Sequence, residues 1–277
     1  MRVLVRPAQY VALFGYILFL GFPLLWLISA SVKSSAELNS LTVSLLPGQW
    51  QWENYAQALA RQGLVHSAWN SVVVALASTA LVILIAMPAA YVLARLKGAI
   101  RVAGVGWILV SQVFPVILII LPLFLILRTM NLTDSLVGGL TLVHTTYTLP
   151  FALWMLQGGY VAGIPTELEE AGSMDGASRL SVLRRIVFPL LAPGIVATAM
   201  FSFVSSWNEF FFALVLLQSP ENYTLPITLT SFIGGEGKVA LGPLAAGSFL
   251  AAIPSIVFFS IMQRKLTGGL MAGAVKG

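Results

Sequence analysis

The chain contains no cysteine and very little charge, and these two absences exclude several classes of protein. Without cysteine there can be no disulfide bond and no thiolate metal site. Only 9% of the residues are charged, whereas 58% are hydrophobic. A soluble protein of that composition would expose large apolar patches to water, so the composition favours a membrane protein.

The motifs of nucleotide and hydrolytic chemistry are also missing. The sequence has no G-x-x-x-x-G-K-[ST] loop to wrap phosphates, no H-E-x-x-H pair and no G-x-S-x-G elbow. Its basic residues are scattered among loops rather than gathered in one patch, which argues against nucleic acid as a partner. We therefore expect a chain that is not an enzyme and binds no cofactor itself.

Long apolar runs are what the sequence does contain, and several exceed the roughly 18–20 residues that cross a bilayer. They predict an all-α, polytopic membrane protein whose single transmembrane domain has six transmembrane helices, over residues 10–31, 69–94, 102–127, 136–160, 190–217 and 241–262. The first run could instead be a signal peptide, because Ser29-Ala30-Ser31 is a small-residue triplet. Its length, beyond the about 7–15 residues of a signal core, favours a retained span.

Prolines lie within or between these runs and predict bends, since each removes a backbone hydrogen bond. They are Pro88, Pro115, Pro122, Pro150 and Pro254. The first external loop, residues 32–68, is expected to contain a short helix over 52–60. Its aromatic residues Trp50, Trp52 and Tyr55 are typical of an aromatic belt at a membrane interface.

The distribution of basic residues predicts the orientation of the spans. Six spans place both termini on one side, and that side carries eleven of the fifteen basic residues: Arg2, Arg6, Arg95, Lys97, Arg101, Arg179, Arg184, Arg185, Arg264, Lys265 and Lys276. Only Lys33, Arg61, Arg128 and Lys238 fall on the other side. The positive-inside rule then predicts cytoplasmic termini and a cytoplasmic loop at 161–189.

This loop is charge-rich and lies between two apolar spans. Thr166 and Glu169 have capping-box spacing, which predicts a helix beginning just after Pro165, and Asp175-Gly176 predicts a turn after it. A second, amphipathic helix follows, with an apolar stripe formed by Leu180, Leu183 and Val187 and flanked by Val182 and Ile186. Such a helix pair on a membrane surface could receive another protein or simply lie on lipid headgroups.

The spacing of the same loop carries a family resemblance. Glu170-Ala171-Gly172, then Gly176, then Ile186-Val187-Phe188-Pro189 resemble the E-A-A---G---------I-x-L-P signature of membrane subunits of binding-protein-dependent ABC importers. Gly172 replaces an alanine of that signature and Phe188 replaces a leucine. We expect the glycine to loosen its helix by up to roughly 1 kcal/mol.

Further segments resemble the carbohydrate branch of these importers, and within it the shorter, maltose-type second permease. They are Trp207-Asn208-Glu209-Phe210, Thr224-Leu225-Pro226, Gln263-Arg264 and the C-terminal tail at 269–277, in which Met271 stands where threonine is usual. The likeness extends over essentially the whole chain.

The resemblance implies a type I ABC importer permease fold in a bacterial cytoplasmic membrane. It also implies four kinds of partner: a second, different permease, a pair of ATPases that bind ATP and Mg²⁺, an external solute-binding protein, and a sugar that passes between the permeases. The loop at 161–189 would be the coupling segment that docks on an ATPase, through Glu167, Glu169, Glu170, Ala171, Gly172, Asp175, Gly176, Ile186 and Pro189. Glu170 is the single side chain expected to matter most.

The C-terminal tail, residues 266–277, has two interpretations. Its small residues cannot bury much surface, which is typical of a disordered end. The resemblance implies instead that it inserts between the two ATPases through Gly273, Ala274, Val275, Lys276 and Gly277. We favour insertion.

Polar residues inside spans are costly and therefore mark candidate positions along the transport pathway. Trp207, Asn208 and Glu209 offer an aromatic ring, an amide and a carboxylate, which together suit a sugar. Equally, Asn208 and Glu209 could join neighbouring helices. Gln112 and His144 are weaker candidates, because a lone histidine in a span more often makes an interhelical hydrogen bond.

The sequence therefore predicts a sugar importer permease and leaves two alternatives. One is an importer of the same superfamily that carries a non-sugar solute such as a phosphorylated polyol. The other is a free-standing secondary carrier, against which stand the absence of a visible internal repeat and of paired carboxylates for ion coupling.

Overall fold

The computed structural model describes residues 2–42, 44–61, 63–234 and 239–274, with side chains described between Gln9 and Arg264 within those ranges. Over these residues the chain is helical, and its extended pairing is limited to an isolated bridge between Ile233 and Val239. The all-α prediction is therefore confirmed for the described part of the chain.

Thirteen helices are numbered here in chain order, with bounds as follows: α1 Arg2–Ser31, α2 Ser35–Leu38, α3 Glu53–Ala60, α4 Leu64–Arg95, α5 Gly98–Val113, α6 Val116–Thr129, α7 Leu136–Gly163, α8 Thr166–Met174, α9 Arg179–Leu190, α10 Ala192–Trp207, α11 Phe211–Leu216, α12 Leu225–Thr230 and α13 Leu241–Ala274. Helices α7 and α9 include π-helical turns, at Leu136–Leu140, Met155–Tyr160 and Leu183–Val187. A 3₁₀ turn covers Pro220–Asn222.

Within the described residues, four helical segments are long and apolar enough to cross a membrane: Gln9–Ser31, Leu64–Arg95, Leu136–Gly163 and Leu241–Arg264. Two further segments qualify only as bent pairs, α5 with α6 at 97° and α9 with α10 at 70°. The number of spans reaches the predicted six when each bent pair is taken as one span. The chain is thus a multi-pass membrane protein.

The third predicted span, 102–127, is broken rather than gently bent. Phe114 lies between α5 and α6 in an extended conformation, with ψ of 125°, because the proline ring that follows disfavours a helical conformation there. Pro115 itself caps α6, whereas Pro122 lies inside that helix. The bend expected from these prolines is thus concentrated at Pro115.

The fifth predicted span, 190–217, is also not one helix. Helix α10 ends at Trp207 and α11 begins at Phe211, so Asn208, Glu209 and Phe210 form a break. The sequence analysis missed this interruption because the run is largely apolar. Polar residues within a span do not by themselves indicate that a helix ends there.

The sixth predicted span, 241–262, continues farther than expected. Helix α13 extends to Ala274, so the first part of the predicted tail is helical. Gly273 and Ala274 lie in its last turn, whereas Val275, Lys276 and Gly277 lie outside the described residues.

The contacts divide the chain into two units, and the first comprises Met1–Val65 and Thr228–Ile253. In this unit the predicted loop helix is present as α3. Its buried Asn54 donates from Nδ2 to the carbonyl oxygens of Ser31 and Lys33, at 3.0 and 2.8 Å. Trp50 and Trp52 stack with their ring centroids 5.7 Å apart and remain largely exposed, which is compatible with the predicted interfacial belt.

The second unit comprises His66–Ile227 and Pro254–Gly277 and holds both apolar core clusters. One cluster joins α4, α6, α7 and α11 around Val74, Ile120, Val143 and Phe212. The other buries Val182 and Val187 of α9 against Ala86 of α4 and Leu156 of α7. This second cluster attaches the charge-rich loop to the spans on either side of it.

Hydrogen bonds around Asp134 join two connecting segments of the second unit. Asp134, between α6 and α7, accepts hydrogen bonds at Oδ1 from the backbone N–H groups of Gln218 and Ser219, at 2.9 and 3.1 Å, and at Oδ2 from the Ser219 hydroxyl. Asn222 donates to its backbone carbonyl at 2.8 Å. Partial burial opposes ionisation of the carboxyl group, but the hydrogen bonds from Ser219, Gln218 and Asn222 outweigh it and lower the pKa of Asp134.

Candidate functional site

The loop at 161–189 forms two short helices around a tight turn. Helix α8 begins directly after Pro165, and Gly176 has a φ of +81°, the left-handed conformation expected for the residue that ends the turn. Ser178 starts α9 by accepting a hydrogen bond at Oγ from the N–H of Ser181, at 3.3 Å. The predicted helix–turn–helix arrangement is present.

The predicted capping box is wrong. Pro165 occupies the N-cap position, so Thr166 lies inside the first turn and makes no side-chain cap. Glu169 is also unable to reach back, because its carboxylate is engaged elsewhere. The helix starts at the expected residue without a capping box: Pro165 has extended backbone angles and precedes the first turn with no side-chain cap.

Glu169 belongs to a clasp between α8 and the end of α4. Arg95 donates to its Oε1 from Nε at 3.0 Å and from Nη2 at 2.5 Å, and the Tyr91 hydroxyl donates to its Oε2 at 2.6 Å. Arg95 also donates from Nη2 to the carbonyl oxygen of Ile164, at 3.0 Å. The two charged side chains are only 21% and 15% exposed, so the ion pair is shielded from water. We therefore interpret Glu169 as a brace within the chain rather than as a group that is free for a partner.

The other predicted carboxylates point outward. Glu167, Glu170 and Asp175 are exposed, and among the described residues none of them makes an ion pair. Ala171 is exposed beside them, whereas Gly172 is buried on the opposite side of α8. The acidic face of the helix is thus available to a basic surface.

Apolar side chains lie on this outward surface as well, and the sequence analysis missed their role. Met174 is 88% exposed, Leu180 is 55% exposed and Leu168 is 43% exposed. Met174 could have been recognised, because positions 167, 170 and 174 share one face of a helix. The predicted apolar stripe of α9 contained Leu180 and Val187. Val187 is buried in the core together with the flanking Val182, whereas Leu180 is exposed.

Gly172 is the point at which the two loop helices contact each other. A β-carbon added there would lie 2.8 Å from Cδ1 of Ile186 and 3.3 Å from Cγ2 of Val182. Ile186 therefore packs inward between the helices, and Pro189 lies exposed in the last turn of α9. The glycine that was expected to loosen α8 also permits a closer contact with α9.

A groove of about 1040 Å³ lies beside these helices. Its lining is mainly apolar and comes from the end of α4 and from the loop, with Val92, Leu96, Met174, Leu180 and Leu183 among the contributing residues. Glu170 and Arg179 also line it. The exposed acidic and apolar side chains together with this groove form what we call the docking surface.

The two ends of the loop are in direct contact. Tyr160, at the end of the last π turn of α7, lies against Gly194 near the start of α10. A β-carbon at Gly194 would come within 2.3 Å of Cγ of the Tyr160 ring, so only glycine fits there.

His144 and Glu209, two of the predicted pathway residues, bind each other. His144 lies 3.1 Å from Oε2 of Glu209 through Nε2 and 2.6 Å from Oγ of Ser206 through Nδ1. Glu209 also accepts hydrogen bonds from the N–H groups of Phe212 and Ala213, at 2.8 and 3.1 Å, and so caps α11. These contacts occupy both ring nitrogens and both carboxylate oxygens, which favours the helix-joining interpretation.

The remaining predicted pathway residues do not converge on one point. Trp207 is 3% exposed and stacks on Phe203 with ring centroids 6.0 Å apart. Asn208 is exposed and donates from Nδ2 to the carbonyl oxygen of Val204, at 2.9 Å. Gln112 is exposed near the end of α5. The structure thus separates the trio that the sequence suggested.

Comparison with known proteins places this helical arrangement in a family. Residues 82–267 match the model of the binding-protein-dependent transport system inner membrane component. The chain belongs to this family. The match includes the docking surface and the Arg95–Glu169 clasp, so both lie within the part of the chain that this family of membrane components shares.

Individual relatives agree with that assignment. The chain is 55% identical over 223 residues to a putative ABC transporter permease protein of Streptomyces antibioticus, covering 80% of this chain and 96% of the relative. It is 34% identical to the diacetylchitobiose uptake system permease protein DasC of Streptomyces coelicolor, covering 94% of each chain. A crystal structure of a bacterial ABC transporter involved in alginate import contains a similar fold, with a TM-score of 0.76 at 24% identity over 94% of this chain and 96% of that one.

Proposed function

We propose that this chain is the permease subunit of an ATP-driven importer of sugars or oligosaccharides, and that the docking surface receives the movement of a cytoplasmic ATPase. The observation that carries the proposal is the pairing of an outward acidic and apolar surface on α8 and α9 with an inward clasp to α4. A movement imposed on the surface reaches a membrane span through Arg95 and Glu169.

The proposal requires several partners. The chain has no phosphate-binding loop, so the ATPase pair binds ATP and Mg²⁺ and performs the hydrolysis. A second, different permease completes the pathway, and an external binding protein delivers the solute. The family description names a binding-protein-dependent system, and the proposed location is the cytoplasmic membrane of a bacterium with both termini inside.

The sugar class is supported by two observations. The carbohydrate-branch motifs occur at 207–210 and 224–226 and in the tail, and a relative of 34% identity is named for diacetylchitobiose uptake. We propose that ATP-driven closure of the ATPase pair moves the docked helices as rigid bodies and turns the cavity between the permeases outward.

The proposal is tested with the complete complex in proteoliposomes, supplied with N,N′-diacetylchitobiose, trehalose, maltose or glycerol 3-phosphate. We expect uptake of at least one of the sugars that requires both ATP and the binding protein. Uptake by this chain alone without ATP would identify a secondary carrier, and uptake of glycerol 3-phosphate alone would assign the complex to non-sugar solutes. Either result contradicts the proposal.

The docking surface itself is tested by two substitutions that each introduce a positive charge. Met174→Lys places a charge in an apolar contact, and Glu170→Lys repels a basic partner surface. Because burying a Met side chain is worth about 1.5–3 kcal/mol, we expect at least a tenfold loss of solute-stimulated ATP hydrolysis and less ATPase on co-purification.

Met130→Lys serves as the matched control, because Met130 is also exposed, at 59%, but lies after α6 in a predicted external segment. It should leave coupling intact. Wild-type stimulation in both Met174→Lys and Glu170→Lys would show that the ATPase docks elsewhere.

A further inference from the structure

An exposed aromatic face follows one side of α7 in the second unit. Tyr147, Phe151 and Trp154 recur at intervals of four and three residues, which places them on a single helix face. Tyr147 and Trp154 are 48% and 46% exposed, and Phe151 is partly exposed between them. At 1.5 Å per residue this row is about 10 Å long, enough for a disaccharide to lie along it.

The neighbouring helix extends this face. Phe201 and Val204 are exposed on α10, and the exposed Asn208 follows directly after its end, four residues beyond Val204. The rings of Phe151 and Phe201 join the two rows, with centroids 4.1 Å apart, and Tyr147 packs edge-on against Phe212 of α11 at 5.7 Å. We call the surface formed by Tyr147, Phe151, Trp154, Phe201 and Asn208 the aromatic face.

The exposed side of α6 has a different character. Before the last turn, which carries the exposed Arg128 and Thr129, its exposed side chains are aliphatic: Ile117, Leu118, Ile119, Leu121, Pro122, Leu125 and Ile126. That composition suits lipid tails, whereas the phenol of Tyr147, the indole of Trp154 and the amide of Asn208 carry polar groups that hydrocarbon cannot satisfy. The exposed side of α6 is therefore suited to lipid tails, whereas the aromatic face is suited to surroundings that include hydrogen-bonding groups.

The chemistry of the aromatic face matches a sugar. Flat rings pack on the C–H faces of a pyranose, and hydroxyl and amide groups bind its hydroxyls. Asn208 uses one N–H for the carbonyl of Val204, which leaves its second N–H and its oxygen available for a ligand. We propose that the aromatic face lines the translocation pathway and binds the rings of the sugar during transport, an inference that rests on the proposed function.

Of the polar residues proposed from the sequence, this inference keeps only Asn208 in contact with the sugar and adds the aromatic residues of α7. Glu209 and His144 hold the helices, whereas Tyr147, Trp154 and Asn208 contact the solute. Tyr147 is one helical turn beyond His144 on α7, so the network that fixes His144 also fixes the backbone that presents the aromatic row.

The absence of cysteine from the chain makes a direct test possible. Tyr147→Cys and Asn208→Cys introduce a unique thiol on the aromatic face, and Leu121→Cys and Leu125→Cys introduce one on the aliphatic side of α6. The complete complex is treated in proteoliposomes with a small, charged methanethiosulfonate reagent, and modification of this chain is followed by mass spectrometry.

We expect Tyr147→Cys and Asn208→Cys to react at least tenfold faster than the two control thiols, and saturating sugar to slow that reaction. The sugar used is whichever of diacetylchitobiose, trehalose and maltose the wild-type complex transports. Rates equal to those of the controls would show that lipid or the second permease covers the face. Rapid reaction without protection by the sugar would show that the aromatic face is accessible to water but does not bind the sugar. Both outcomes overturn the inference.

Uptake by substituted complexes distinguishes a ring contact from a packing role. Tyr147→Ala should lower the uptake rate about tenfold, and Tyr147→Phe should retain most of the wild-type rate because the ring is kept. Leu121→Ala should have no effect. Equal loss in Tyr147→Ala and Leu121→Ala would refute the inference, whereas a wild-type complex that transports no sugar would refute the proposed function itself.

Discussion

At the scale of single residues, two neighbouring glutamates of α8 have different surroundings. Glu169 faces Arg95 and Tyr91, and Glu170 faces outward with no ion pair among the described residues. One helix position separates them by roughly 100°, which is enough to turn one carboxylate inward and the next outward. Glu170 therefore remains the acidic residue best placed to meet a partner, as proposed from the sequence.

Asp134 supports a prediction about pH. Its lowered pKa means that its ionised form stabilises the fold above the ordinary carboxyl pKa of about 4, and that this stabilisation is lost as the pH falls through the lowered folded-state pKa. Asp134→Asn should therefore lower the stability by about 1–2 kcal/mol at pH 7, measured by thermal unfolding in detergent. The difference from wild type should persist down to about pH 5 and shrink below about pH 4.

Glu221→Gln is the matched control for that substitution, because Glu221 is exposed in the same connecting segment. It should unfold like wild type across the whole pH range. An Asp134→Asn variant as stable as wild type at pH 7 would show that the hydrogen bonds of the Asp134 carboxylate contribute nothing to the stability.

At the scale of elements, the ion pair of Arg95 and Glu169 joins α4 to α8, and the proposed coupling requires these two helices to move together. Arg95→Glu or Glu169→Arg alone should separate them, because each places like charges in a shielded site; the lost attachment is worth about 1–3 kcal/mol. We expect transport to fall several-fold while ATP hydrolysis continues, so that fewer solute molecules enter per ATP consumed.

The combined exchange, Arg95→Glu with Glu169→Arg, should recover part of the coupling because the opposite charges are restored. Glu167→Gln alters an exposed carboxylate on the same helix and should leave the ratio of uptake to hydrolysis near that of wild type. If the double variant is no better than the single ones, the ion pair itself is not what couples the helices.

The elements also show what the sequence could and could not predict. Apolar runs and prolines were sufficient to predict where the spans lie and that the third one bends, since both effects act locally along the chain. They did not predict that Pro115 breaks that span into two helices. The break after Trp207 could not be predicted, because it depends on Glu209 meeting His144 from another span. The inward turn of Glu169 depends in the same way on Arg95, which is 74 residues earlier in the sequence.

The candidate site was predicted in part for the same reason. The docking loop was recognisable from its spacing and charge, but the exposure of Met174 and Leu180 follows from how α8 and α9 pack through Gly172. Of the aromatic face, only Asn208 was among the predicted pathway residues. Tyr147 and Trp154 look like ordinary apolar span residues until the contacts of α7 show which side stays exposed.

At the scale of the whole molecule, the uneven distribution of basic residues predicts a single orientation in the membrane. Met174→Cys and Met130→Cys test it, since both methionines are exposed and the chain has no other thiol. A membrane-impermeant maleimide added to intact cells should label Met130→Cys and leave Met174→Cys unlabelled until the membrane is opened. The reverse pattern would place the docking surface outside and refute the proposed ATPase contact.

The contact between Tyr160 and Gly194 has a mechanical consequence for the segment between them. The ring lies where any β-carbon would clash, so the ends of the loop pack directly against each other. As long as this contact is kept, a force applied to α8 and α9 reaches α7 and α10 together. In the proposed coupling, the two spans that bear the aromatic face would then turn as a pair.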